Sequence, residues 1–153
     1  MLWSNILLAY DNSQASLRAV EYVGQMFSQV EGARVILYSV YDKPPEYDMV
    51  DTPFTSQVKG RIQALHREKE EGRLRLEEAK RHLLKLGFSE DQVSLEYVEK
   101  KKSVAKQIVD KARREQCGTV VIGRQGDVRS LVFGSVAESV IGSISGATVC
   151  VVE

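Results

Sequence analysis

Residues 120–141, VVIGRQGDVRSLVFGSVAESVI, carry an apolar run into a turn that holds Gly123 and Gly126, then open a helix at Gly134-Ser135. The run belongs to TVVIG, short, β-branched and continuous, which reads as a strand buried on both faces. GSVAESVIGSIS reads as a helix and ATVCVVE as a closing strand. Strand, helix and strand in that order call for a parallel crossover connection.

Toward the amino end the same alternation recurs. NILLAY is a buried strand, and DNSQAS turns it into a helix capped by Ser13 or Asn12. That helix carries Leu17, Val20, Val23, Met26, Phe27 and Val30 at helical spacing, with Gly32 as its stop. RVILYSV is a second buried strand, followed by the acidic, three-proline loop YDKPPEYDMVDTP. From Phe54 to Leu86, a charged segment places Val58, Ile62, Leu65, Leu76, Ala79, Leu83 and Leu86 on one helical stripe. Gly72 costs about 1 kcal/mol relative to alanine inside a helix, so a single long helix with a bend or break there is expected. QVSLEYVE alternates as a half-exposed strand. Ser103 caps VAKQIVDKARREQ, whose Val104, Ile108, Val109 and Ala112 face inward. The order β-α-β-α-β-α-β-α-β implies an α/β fold, a parallel sheet with helices on both faces in three α/β/α layers. With no repeat or linker, one domain spanning 1–153 is expected.

Lys+Arg and Asp+Glu balance at 21 each among 153 residues. No basic excess exists to attract nucleic acid or an anionic membrane. No stretch approaches the roughly 20 apolar residues of a membrane span. The start, MLWSNILLAYDNS, lacks the basic leader of a signal peptide. Cys117 and Cys150 are too few for a disulfide framework or zinc set, and read as small hydrophobes. A cytoplasmic protein with reduced thiols is the expectation.

In open parallel sheets, ligands sit beyond the carboxyl ends of the strands, where strand order reverses. The turns AYDNS and IGRQG qualify. Gly123 and Gly126 lack Cβ atoms, which lets backbone N–H groups approach an anion. Gly134-Ser135 stands at a helix start, where unpaired N–H groups and the positive dipole end favour phosphate.

Over essentially its whole length the chain resembles the universal stress protein family. The carriers are NILLAYDNSQASLRAVEYV, VILYSVYD and TVVIGRQG with FGSVAESVIGSISGATVCVV. The resemblance implies a five-stranded parallel sheet of order 3-2-1-4-5 and a homodimer through the last strand. One branch of the family binds ATP through G-2x-G-9x-G-(S/T). By that likeness Asp11 would lie against the adenosine and Val40 would offer its backbone to adenine. Gly123, Gly126, Gly134 and Ser135 would hold ribose and phosphates, flanked by Ile122, Arg124 and Val136. The implied ligand is ATP or another adenine nucleotide, with Mg2+ as a companion ion. One departure stands out: seven residues, DVRSLVF, separate Gly126 from Gly134 where the family pattern has nine. Losing two residues shortens an extended chain by at most about 7 Å. Either a tighter loop still presents the last helix, or Val132 and Phe133 fill part of the pocket.

Other readings stand beside these. Asp11 also suits a helix start, Arg124 and Arg129 an exposed loop, and Asp42, Glu46, Asp48 and Asp51 a solvated loop rather than a lid or magnesium site. His66 and His82 read as surface residues on a face laced with opposite charges. Trp3 and Tyr10 are expected to pack around the first strand. No nucleophile–base pair, G-x-S-x-G elbow or Walker motif occurs, and a receiver domain would need acidic and lysine partners that are missing. The expected function is a nucleotide-binding stress or regulatory protein with little or no hydrolysis. The alternatives are an interaction module of the same fold, with an unknown protein partner and no nucleotide, and a slow ATPase.

Overall fold

The computed structural model describes residues 2–46, 50, 52–124 and 135–153. The chain runs β1 (Leu2–Ala9), α1 (Gln14–Phe27), β2 (Arg34–Tyr41), α2 (Pro53–Lys85), a 3₁₀ turn (Glu90–Gln92), β3 (Val93–Glu99), α3 (Val104–Arg114), β4 (Cys117–Gly123), α4 (Ser135–Ser143) and β5 (Thr148–Val152). All neighbouring strands pair in parallel, in the order β3-β2-β1-β4-β5. This is the three-layer α/β/α arrangement expected from the sequence.

The period of two along each strand divides the core. Ile6, Leu8, Val35, Leu37 and Val121 meet α1 and α2 through Ala19, Val20, Val23, Leu76, Ala79 and Leu83. Leu7, Tyr38, Val120 and Ile122 meet α3 and α4 through Ala105, Ile108, Val109, Ala112, Ala137 and Val140. The central strands β1 and β4 are therefore apolar on both faces, which is why they show no alternation. Burial pushes the Cys117 thiol up to about 11, so it behaves as core.

Capping follows side-chain chemistry. Ser13, not Asn12, caps α1: its Oγ accepts from Ser16 N–H at 3.1 Å. Asn12 instead takes the left-handed conformation (φ 63°), and Tyr10 donates to its Oδ1 at 3.1 Å. Thr52 and Thr55 form a reciprocal capping box ahead of Pro53, so the third proline of the loop begins a helix. Ser103 Oγ accepts from Lys106 N–H at 3.2 Å.

Three expectations need correction. α1 ends at Phe27, and Gly32 (φ 73°) serves the turn into β2, where Ala33 N–H donates to Val30 C=O. α2 runs through Gly72 without a break. A Cβ there would lie 2.5 Å from the Tyr97 hydroxyl, which donates to Lys69 C=O at 2.9 Å, so the glycine admits a tyrosine from β3. Trp3 is 73% exposed: only Tyr10 packs into the core. The Thr119 hydroxyl holds the Trp3 carbonyl at 2.7 Å, while the indole reaches neither core cluster.

Candidate functional site

Strand order reverses between β1 and β4, and the carboxyl ends of these strands part there. β1–β2 pairing ends at Ala9 opposite Tyr38, with Tyr10 N–H donating to Tyr38 C=O at 2.8 Å. Backbone groups alternate sides along a strand, so Val40, two residues beyond Tyr38, turns its N–H and C=O toward the space β1 has left. A cavity of about 140 Å³ lies at this point. Ala9, Tyr10 and Asp11 line it from β1, Tyr38 and Val40 from β2, Val104 and Ile108 from α3, Ile122 and Gly123 from β4, and Val136 and Ala137 from α4. Its walls are mostly aliphatic, which suits a flat apolar ring system; the lining residues with polar side chains are Tyr10, Asp11 and Tyr38.

Five residues singled out in the sequence come together here: Asp11, Val40, Ile122, Gly123 and Val136. Asp11 reaches the rim, where its Oδ1 accepts from Ser13 N–H at 3.0 Å. It thus fixes the turn ahead of α1, and its second oxygen has no hydrogen-bond partner among the described residues. Gly123 has a structural reason of its own. A Cβ would stand 2.6 Å from Ser16 N and 2.7 Å from the Ala15 carbonyl carbon, so its missing side chain lets the first turn of α1 dock on β4. Arg124 and Ser135 do not line the cavity. Arg124 N–H donates to Val152 C=O at 2.6 Å, and its guanidinium pairs with the Glu153 carboxylate, which draws it toward the end of β5. Ser135 is exposed at the first turn of α4. Gly126 and Gly134 lie outside the described residues, as do Arg129, Val132, Phe133, Asp48 and Asp51.

Reading the sequence missed Ala9, Tyr10, Tyr38, Val104, Ile108 and Ala137. Three of them carried a signal. Val104 and Ile108 begin the apolar face of α3, and a helix start on this side of the sheet must border the switch point. Tyr38 is a polar-tipped ring that follows the aliphatic run Val35-Ile36-Leu37; it is 4% exposed, and its hydroxyl has no hydrogen-bond partner among the described residues.

His66 and His82 are exposed, and His82 Nε2 lies 2.6 Å from Glu21, tying α2 to α1. Asp42 lies 3.8 Å from Lys100. Among the described residues no group of three His, Cys, Asp or Glu side chains gathers to hold a metal ion, and no helix is long and apolar enough to cross a membrane.

Comparison with known proteins agrees with this architecture. The sequence pattern of the universal stress protein family matches residues 3–151. No match to the chain is found among curated proteins. Among solved structures, hypothetical protein MJ0577 superposes with a TM-score of 0.73 at 24% identity, covering 99% of this chain and 96% of the other. The universal stress protein from Archaeoglobus fulgidus in complex with dAMP gives 0.62 at 23% identity, covering 100% of both chains. A universal stress protein in complex with cAMP gives 0.62 at 19%, covering 100% and 98%. At these identities the likeness establishes the fold. With the family pattern spanning nearly every residue, the chain belongs to the universal stress protein family.

Proposed function

We propose that this chain binds an adenine nucleotide at the switch-point cavity and acts as a nucleotide-responsive regulatory protein. One observation carries the reading: the backbone edge of Val40 is turned into an aliphatic slot where β1 no longer pairs with it. Adenine presents an amino donor beside a ring-nitrogen acceptor, which complements a C=O and an N–H from one strand edge. Ile122, Ile108 and Val104 would flank the ring, and Asp11 at the rim would accept from the ribose hydroxyls. The dAMP and cAMP complexes of two relatives support this assignment. Phosphates would then leave toward the segment between β4 and α4, where Gly126, Gly134 and Ser135 belong by family likeness. Mg2+ would be held mainly by those phosphates, since Asp11 is the one carboxylate among the cavity's lining residues. The same reading includes a homodimer through β5, which is an edge strand of the sheet. Binding rather than turnover is the proposed activity.

Urea denaturation with and without ATP tests it. Ligand at a hundred times its dissociation constant should stabilise the fold by about 2.7 kcal/mol. Val104→Trp, a half-buried position on the slot wall, should fold but lose that gain. No stabilisation by millimolar ATP, or an undiminished gain in Val104→Trp, would overturn the assignment.

A further inference from the structure

α2 is longer than the sheet needs. Its 33 residues extend about 50 Å, whereas the seven residues of β3 span about 23 Å. Tyr97, near the carboxyl end of β3, meets α2 at Lys69 and Gly72. β3 continues only two residues beyond Tyr97, so most of α2 on the amino side of Lys69 projects past the carboxyl edge of the sheet.

The apolar seam does not stop where the sheet does. Val58, Ile62, Leu65, Lys69, Gly72, Leu76, Ala79 and Leu83 follow one another at alternating intervals of four and three, the spacing of a coiled-coil core. The last three are buried in this chain, and Lys69 Nζ sits 4.7 Å over the Tyr41 ring. On the projecting half, Val58 and Leu65 are exposed and Ile62 is half-buried, and Phe54 (85% exposed), four residues before Val58, extends the strip. Scattered apolar residues on a surface are ordinary, whereas a strip at core spacing is not.

We propose that this projecting half-helix is a self-association surface, on which a second copy of the chain lays the same segment antiparallel. Charge selects that occupant. Arg61 and Glu68 lie seven residues apart, so they share one flank of the seam, and both are exposed with no partner among the described residues. When two copies cross antiparallel between Ile62 and Leu65, each Arg61 faces the second copy's Glu68, and two ion pairs form by symmetry. A parallel copy would set Arg61 beside the second copy's His66 instead and gain no such pair. Self-complementary charge beside a shared apolar seam is what a two-fold symmetric contact requires. Because α2 packs on β3 and β2, this surface lies at the sheet edge opposite β5. It is independent of strand pairing there and of nucleotide.

Sedimentation equilibrium on the full chain tests the proposal through charge reversal. Arg61→Glu and Glu68→Arg, each replacing attraction by repulsion at two symmetric pairs, should weaken this association about tenfold. The double variant R61E/E68R should regain it, and an equimolar mixture of the two single variants should associate more tightly than either alone. Leu65→Glu should remove this contact and lower the assembly mass, to a monomer if β5 does not pair and to a dimer if it does. The three substituted positions, Arg61, Leu65 and Glu68, are exposed, and circular dichroism should confirm folding of each variant. An assembly mass unchanged by Leu65→Glu, or a double variant no tighter than the single ones, would overturn the proposal.

Discussion

The Lys111 ammonium is nearly buried between α3 and β3, and it contacts two carboxylates, Glu96 at 2.5 Å and Glu115 at 2.7 Å. Burial lowers the Lys111 pKa, but the hydrogen bonds to Glu115 and Glu96 outweigh it, so the net shift is upward. Glu115 is correspondingly held below the ordinary carboxylate range by its hydrogen bond to Lys111. A depressed carboxylate stabilises the fold above its unfolded pKa of about 4.3 and loses that contribution as pH falls through the folded value. The raised lysine contributes below about 10.4 and ceases to as pH rises through its folded value. Lys111→Met should therefore cost about 1 kcal/mol at pH 7, because both carboxylates reach solvent, and the difference from wild type should shrink below pH 4. Urea unfolding at pH 3 and pH 7 checks this; an equal difference at both would contradict it. Other single residues show what sequence alone does not reveal. Gly123, read as a glycine that admits an anion, also has a packing reason: an added Cβ would meet the backbone of Ala15 and Ser16. Nothing local to residue 123 announces a contact with residues more than a hundred positions earlier.

Among the elements, α2 separates what patterning reveals from what it cannot. Its helical stripe was legible, as was the face laced with opposite charges. Arg73 lies between Glu70 at 3.2 Å and Glu77 at 2.7 Å, as the opposite charges at helical intervals implied. The expected break at Gly72 weighed a local helix cost of about 1 kcal/mol, and a tertiary contact with Tyr97 overrides it. Spacing also cannot say that one half of the seam is buried and the other exposed, because burial depends on how far the sheet reaches. The two halves should respond differently to mutation. Leu83→Ala, at a fully buried site, should destabilise the protein by about 2–5 kcal/mol. Leu65→Ala should change the stability of the dissociated chain by no more than about 0.5 kcal/mol. Urea unfolding at a concentration below self-association compares them, and equal losses would contradict the division of α2.

For the whole molecule, crossover topology follows from element order, and the sheet order 3-2-1-4-5 matches the family resemblance. That topology opens a space at the β1/β4 carboxyl ends, and it is why Asp11, Val40, Ile122, Gly123 and Val136, distant in sequence, line one cavity. The rest of the lining was less legible, since Ala9 and Ala137 read as ordinary core until the sheet is assembled. Arg124 pairs with Glu153, a long-range contact that its own loop does not encode. The central claim is that a strand edge, not a side chain, selects the base. Inosine exchanges adenine's amino donor and ring acceptor for a carbonyl and an N–H, so it opposes like to like at Val40. Isothermal titration calorimetry of the wild-type chain with ATP and with ITP isolates that difference. The account predicts saturable one-to-one binding of ATP and affinity for ITP weaker by at least about tenfold, or about 1.4 kcal/mol. Equal affinity for the two, or no heat with either, would contradict it.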